Sequence, residues 1–119
     1  MHAFDVLGDP VRRRVLELLA DGERPAGAIG AVVQAEFRIS QPAVSQHLRV
    51  LRDNGFVTVR AEGARRLYAV DHGPLREVDL WLERYRRFWN QRFDALGTEL
   101  ARGRRERGAN DETKEHETT

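Results

Sequence analysis

The sequence predicts a mainly α-helical domain carrying one small β-hairpin, and three observations predict it. Apolar residues recur at three- and four-residue steps through most of the first hundred positions, the period of helices that bury one face. The departure from that period is a pair of short runs rich in β-branched residues, Val57–Ala61 and Leu67–Val70, separated by a glycine-containing turn. Proline or a capping residue also stands at the head of each helical stretch: Asp9-Pro10, Pro25, Ser40 with Pro42, and Gly73-Pro74.

Composition sets the outer bounds. The 119 residues suit one small domain, and a 40% apolar share allows a core. There is no twenty-residue apolar run and no signal-like leader, so a cytoplasmic location is expected and no membrane partner. Cysteine is absent, which excludes disulfides, thiolate metal sites and thiol redox sensing together.

Taken in order, His2–Leu7 is a short helical lead-in with Phe4 and Leu7 available to pack. Asp9-Pro10 opens a helix to about Ala20, with Val11, Val15, Leu18 and Leu19 on its inner face and Asp21-Gly22 ending it. From Pro25 to about Phe37 a second helix is carried by Ile29, Val32, Val33 and Phe37, although Gly27 and Gly30 each weaken it by roughly 1 kcal/mol relative to alanine. An extended helix end or a loop is expected over Val33–Ile39.

Ser40–Val57 is the most informative stretch. Ser40 can cap a helix and Pro42 fits its first turn, where a missing N–H costs nothing. Val44, Leu48 and Leu51 form one apolar stripe, and Ser45, Gln46, Arg49 and Asp53 lie opposite. Serine, glutamine and arginine are residues that contact base edges and phosphates. Asn54-Gly55 closes the helix, since both residues tolerate a left-handed backbone. The hairpin follows at once, with Glu62-Gly63-Ala64-Arg65-Arg66 as a loop bearing two arginines at its tip. A helix of this type followed by a basic hairpin is a winged helix-turn-helix. Charge agrees: between Arg38 and Arg66 six arginines face only Asp53 and Glu62, a local balance of +4 in a chain whose net charge is +1.

Three separated motifs, LGDPVRRRVL from Leu7, SQPAVSQHLRVLRDNGFV from Ser40 and GARRLYAV from Gly63, resemble the ArsR/SmtB family of bacterial transcriptional repressors. The resemblance covers residues 4 to about 100. It implies a winged helix-turn-helix that binds an operator on double-stranded DNA as a homodimer. Gln41, Ser45, Gln46 and Arg49 are the expected DNA contacts, with Ser40 as cap and phosphate ligand. His47, at the edge of the apolar stripe, is either a phosphate contact or a partly buried structural histidine. Arg65 and Arg66 are expected to reach DNA from the wing; Arg60 is either an accessory contact or the solvent face of a strand. Arg12, Arg13 and Arg14 point in different directions and are expected in surface and dimer-edge salt bridges rather than in DNA contacts.

From Gly73-Pro74 a long helix carries Leu75, Val78, Leu82, Tyr85, Trp89, Phe93, Leu96 and Leu100, widened by Trp81 and Phe88. This stripe is more than one small domain can cover. Trp81, Tyr85, Phe88, Trp89 and Phe93 are therefore the expected dimer interface, as the family's terminal-helix pairing implies. Residues 1–107 form the DNA-binding and dimerisation domain, and residues 108–119 a disordered acidic tail.

No metal or other cofactor is expected. One family metal site uses a Cys-Val-Cys run, but here that stretch reads Ala28-Ile29-Gly30-Ala31-Val32-Val33. Another uses Asp-x-His on the last helix, where this chain has Asp79-Leu80-Trp81, and His2, His47, His72 and His116 share no tetrahedral spacing. With no nucleophile elbow, glycine-rich phosphate loop or His-Glu-x-x-His, an enzyme is not expected. The sequence reading is thus a pseudo-palindrome-binding repressor. Two alternatives stand beside it: a winged protein-interaction module, and a regulator with a small hydrophobic effector between Trp81, Phe88 and Trp89.

Overall fold

Capping side chains set where the first helices begin. The computed structural model describes residues 2–110. Helix α1 (Ala3–Leu7) starts with a reciprocal cap: the Phe4 amide donates to His2 Nδ1, and the His2 amide donates to Asp5 Oδ2. Helix α2 (Pro10–Leu19) starts at Asp9, whose Oδ1 accepts from the amides of Val11 at 2.8 Å and Arg12 at 3.3 Å. Helix α4 (Gln41–Asp53) starts at Ser40, whose Oγ accepts from the Ala43 amide. Helix α3 (Ala26–Phe37) follows Pro25 and has no side-chain cap.

Over Val33–Ile39, where an extended helix end or a loop is expected, the chain is helical to Phe37 and a loop beyond it. Arg38 reverses the chain in the left-handed conformation at φ 54° and ψ 45°. The stop of α4 differs in part from expectation. Gly55 is left-handed at φ 77°, but Asn54 is not, with φ −99°. Asn54 closes the helix through both backbone and side chain: its amide donates to the Val50 carbonyl at 3.1 Å, and Nδ2 donates to the same oxygen at 2.8 Å.

The hairpin consists of β2 (Val57–Glu62) and β3 (Arg65–Val70), antiparallel from Val57 opposite Val70 to Glu62 opposite Arg65. That register leaves Gly63-Ala64 as the two-residue turn, with Gly63 at φ 60°. Arg65 and Arg66 are therefore not at the tip: they are the first residues of β3. A third strand, β1 (Arg24–Pro25), pairs with the other edge of β3, giving the order β1-β3-β2. It lies where the sequence placed the start of a helix. Proline is tolerated there because β1 is an edge.

The core draws Val6 from α1, Val11, Val15, Leu16 and Leu19 from α2, Ile29 and Val33 from α3, and Val44, Leu48 and Leu51 from α4, closed by Phe56, Val57 and Tyr68. Leu16 is buried while Leu18, expected inside, is only half-buried. The reason is that α2 packs against α1, α3, α4 and β3, so its covered arc is wider than one stripe. The three consecutive arginines on α2 separate as their spacing requires. Arg12 donates to the carbonyls of Val6 and Asp5, and Arg13 to that of Leu7, so two cations close the C-terminus of α1. Arg14 holds Glu36 of α3 with Nε and Nη2 of its guanidinium donating to the two carboxylate oxygens, at 2.8 and 2.9 Å.

Helix α5 (Gly73–Asn110) crosses a boundary between two units, one ending at Leu80 and the other beginning at Trp81. Within the first unit, Leu75 packs against the core. Within the second, Trp81, Tyr85, Phe88 and Phe93 are exposed and Trp89 is half-buried. The Trp81 and Tyr85 rings are 5.1 Å apart, and the Arg92 guanidinium lies 5.5 Å from the Phe88 ring centre. The helix includes Gly108–Asn110, three residues of the stretch assigned to the acidic tail; the rest of that tail lies outside the described residues. Among the described residues no helix is long and apolar enough to cross a membrane.

Candidate nucleic-acid interface

Helix α4 is positioned by its apolar stripe. Val44, Leu48 and Leu51 are 1%, 5% and 0% exposed. Burial of three residues on one face leaves the opposite face no choice but solvent, and Gln41, Ser45, Gln46, Arg49, Arg52 and Asp53 are all exposed. Gln41, Ser45 and Arg49 recur every four residues and so stand in one row along the helix. The N-cap and Pro42 fix the end from which that row begins.

A concavity of about 430 Å³ lies between this row and the hairpin. Gln41, Ser45, Leu48, Arg49, Arg52 and Asp53 of α4 line it, with Arg66 and Tyr68 of β3 and the first residues of α3, Ala26 and Gly27. Four of the expected DNA contacts, Gln41, Ser45, Arg49 and Arg66, are thus brought together around one feature. The others are not. Ser40 is committed to capping α4. Gln46 is exposed but turned a further 100° around the helix from Ser45, outside the concavity. The half-buried His47 ring has Nδ1 3.5 Å from Arg12 Nη1 and 4.0 Å from Asp9 Oδ1, which ties α4 to the start of α2. Arg65 is exposed and paired with Glu62 at 3.1 Å.

Ion pairing sorts the arginines of the hairpin. Arg60 is engaged by Glu23, ahead of β1, and by Glu62. Charge-assisted hydrogen bonds with Arg60 hold the Glu23 carboxyl below the usual carboxylate range and push the Arg60 guanidinium further up. Arg49, Arg52 and Arg66 make no such pair among the described residues. Arg52 is the lining residue that sequence reasoning missed. Its signal was available, since it lies three positions beyond Arg49 on the same side of the helix. The arrangement offers cations, amides and hydroxyls to an anionic, hydrogen-bonding surface. Among the described residues no group of three or more His, Asp or Glu side chains is placed to hold a metal ion.

Comparison with known proteins agrees with this geometry. The model of a family described as a helix-turn-helix domain matches residues 7–60. A helix-turn-helix-type transcriptional regulator of Mycobacterium tuberculosis is 36% identical over 90 residues, 76% of this chain and 78% of that one. The transcriptional repressor SdpR of Bacillus subtilis is 30% identical over 81 residues, 68% of this chain and 86% of that one. Among solved structures, an ArsR-family transcriptional regulator superposes with a TM-score of 0.61 at 27% identity, covering 74% of this chain and 87% of that one. A homodimeric winged helix-turn-helix DNA-binding domain from Mycobacterium bovis superposes with a TM-score of 0.54 at 29% identity, covering 66% and 69%. These relatives are transcriptional regulators rather than enzymes. An open polar helix beside a hairpin, in a chain this similar to them over most of its described length, makes the protein a DNA-binding transcriptional regulator of the ArsR/SmtB family.

Proposed function

We propose that the protein is a homodimeric repressor in which two copies of α4 enter successive major grooves of a pseudo-palindromic operator. The observation that carries this reading is the face of α4 itself: Gln41, Ser45, Gln46 and Arg49 are all exposed on a helix whose other side is buried. Glutamine pairs bidentately with adenine, and arginine with guanine. Arg65 and Arg66 supply contacts from the hairpin, Ser40 sits where a phosphate meets a helix start, and His47 holds α4 in place from behind. The protein acts in the cytoplasm and carries no metal.

The dimer reading is supported by α5. Trp81, Tyr85, Phe88 and Phe93 are 43–64% exposed, a cost that a second copy of the same helix would remove. The Mycobacterium bovis neighbour is homodimeric. A small hydrophobic effector between paired α5 helices would use the same aromatics.

Selection of bound fragments from random duplex by the purified full chain, followed by footprinting and a transcription assay on the recovered site, tests the proposal. The expected result is a site with two related half-sites about 10 base pairs apart, or a multiple, silenced by the protein. Recovery of no preferred sequence would sink it and leave α5 as the docking surface of an interaction module.

A further inference from the structure

We infer that the concavity between α4 and β3 is a seat for one phosphate of the DNA backbone, gripped by Arg52 and Arg66 and tempered by Asp53. The inference rests on the DNA-binding reading above and adds to it a phosphate contact, Arg52, and a carboxylate that opposes binding. Three arginines, Arg49, Arg52 and Arg66, converge on one concave surface from two elements. Each is exposed, and none is engaged by a carboxylate among the described residues. That contrasts with Arg14, Arg60 and Arg65, each of which is neutralised by a glutamate. Sparing three cations in a region where neighbouring arginines are paired creates a local excess of positive charge. A concave wall focuses that field, and the buried Leu48 and Tyr68 in its lining keep part of it out of high-dielectric water.

The occupant is identified by chemistry and by continuity. Guanidinium forks match the paired oxygens of a phosphodiester. The row Gln41, Ser45 and Arg49, which faces the bases, borders the same concavity, so a strand whose bases meet that row passes its backbone over Arg52 and Arg66. Asp53 is the carboxylate of the lining, and it makes no ion pair or hydrogen bond through its side chain among the described residues. An anion beside a phosphate seat weakens the seat, so Asp53 lowers affinity for all DNA alike and leaves sequence preference to the bases.

The test uses the full chain, a duplex it selects from a random pool, and a scrambled duplex of the same composition, each titrated over a range of salt. Arg52→Gln and Arg66→Gln should each weaken both duplexes by the same factor, about eightfold at 0.1 M salt, and lower the logarithmic salt slope by about 0.9. Arg65→Gln should lose less than Arg66→Gln, because Glu62 already neutralises it. Asp53→Asn should tighten both duplexes and steepen the slope, a gain that damage to the fold cannot imitate. Arg76→Gln, which removes an exposed charge outside the concavity, should match the parent. Parental affinity and slope in Arg52→Gln and Arg66→Gln, or unchanged binding in Asp53→Asn, overturn the phosphate seat while leaving the operator reading intact. Slopes that move as expected in a parent that selects no sequence support the seat and overturn the operator reading. Inorganic phosphate that saturates the Arg52 and Arg66 Nε–H resonances at millimolar concentration without competing with duplex would assign the concavity to a free anion and overturn the inference. A parent that binds neither duplex overturns both.

Discussion

Arg38 holds a backbone geometry that side chains ordinarily avoid, and it is the one non-glycine residue at positive φ among those described. The left-handed conformation costs roughly 1–2 kcal/mol for a residue with a Cβ. It is imposed because the chain must reverse between α3 and Ser40 for the cap on α4 to form. Arg38→Gly should therefore leave stability to denaturant no lower than the parent's, while Arg38→Val, whose branched Cβ fits this region worst, should lose about 1–2 kcal/mol. Equal losses in both variants would place the cost in the arginine side chain rather than the backbone. On α4 the residues of the exposed face predict a different signature. Gln46→Ala or Arg49→Ala should cost roughly 1–3 kcal/mol on the selected duplex and less on the scrambled one. Operator affinity unchanged in both would show that the reading face is misplaced.

Elements defined by their own residues were readable in advance; elements defined by distant partners were not. α2 and α4 announce themselves through Asp9-Pro10 and Ser40-Gln41-Pro42 and through apolar spacing, all local signals. The hairpin was readable for the same reason, but its turn was not. Whether Arg65 lies at the tip or in the strand depends on the pairing of Glu62 with Arg65, and composition does not fix a register. β1 is two residues long and exists only because β3 lies beside it. The phosphate seat is a meeting of α3, α4 and β3, so its arginines could be named one by one, Arg52 excepted, but not assembled. Pairing between elements also sets the response to acid. Arg14 holds the Glu36 carboxyl below its ordinary value of 4.5, and Arg60 does the same for Glu23. A carboxyl depressed in the folded state contributes stability above its unfolded value, and that contribution disappears as pH falls through the folded value. Glu36→Gln should therefore melt slightly below the parent at pH 7, and the two curves should meet once the pH has fallen below the depressed folded value. The effect is small because both partners are exposed to solvent. A gap between them that stays constant as the pH is lowered until the parent's carboxylates are protonated would show that Glu36 acts through packing and not through its charge.

For the whole molecule, the proposed dimer would rest on α5. Trp89 is half-buried and Phe93 is 64% exposed in the single chain, so the two residues predict different outcomes on truncation. Phe93→Ala should leave the melting of a dilute, dissociated sample unchanged and weaken association. If a partner buries the ring fully, the loss is roughly 3–5 kcal/mol. Trp89→Ala should lower both. Sedimentation at micromolar concentration measures the association and gel shift measures DNA binding. A clean monomer that still holds a two-half-site duplex tightly would rule out the dimer.

The two-residue strand β1 has a consequence for the order of folding. Arg24 and Pro25 pair with Tyr68 and Leu67 across the whole of α3, α4 and β2, whereas β2 and β3 are joined by a two-residue turn. Closing the long loop costs chain entropy that the short one does not. The hairpin can therefore form early, and β1 is expected to dock after the rate-limiting barrier. Arg24, which also clasps the Leu18 carbonyl at 2.6 Å, is then a latch and not part of the nucleus. In stopped-flow measurements Arg24→Ala should accelerate unfolding and leave the refolding rate at the parent's value. A slowed refolding limb would mean that the small sheet is assembled before the barrier and that β1 helps to nucleate the domain.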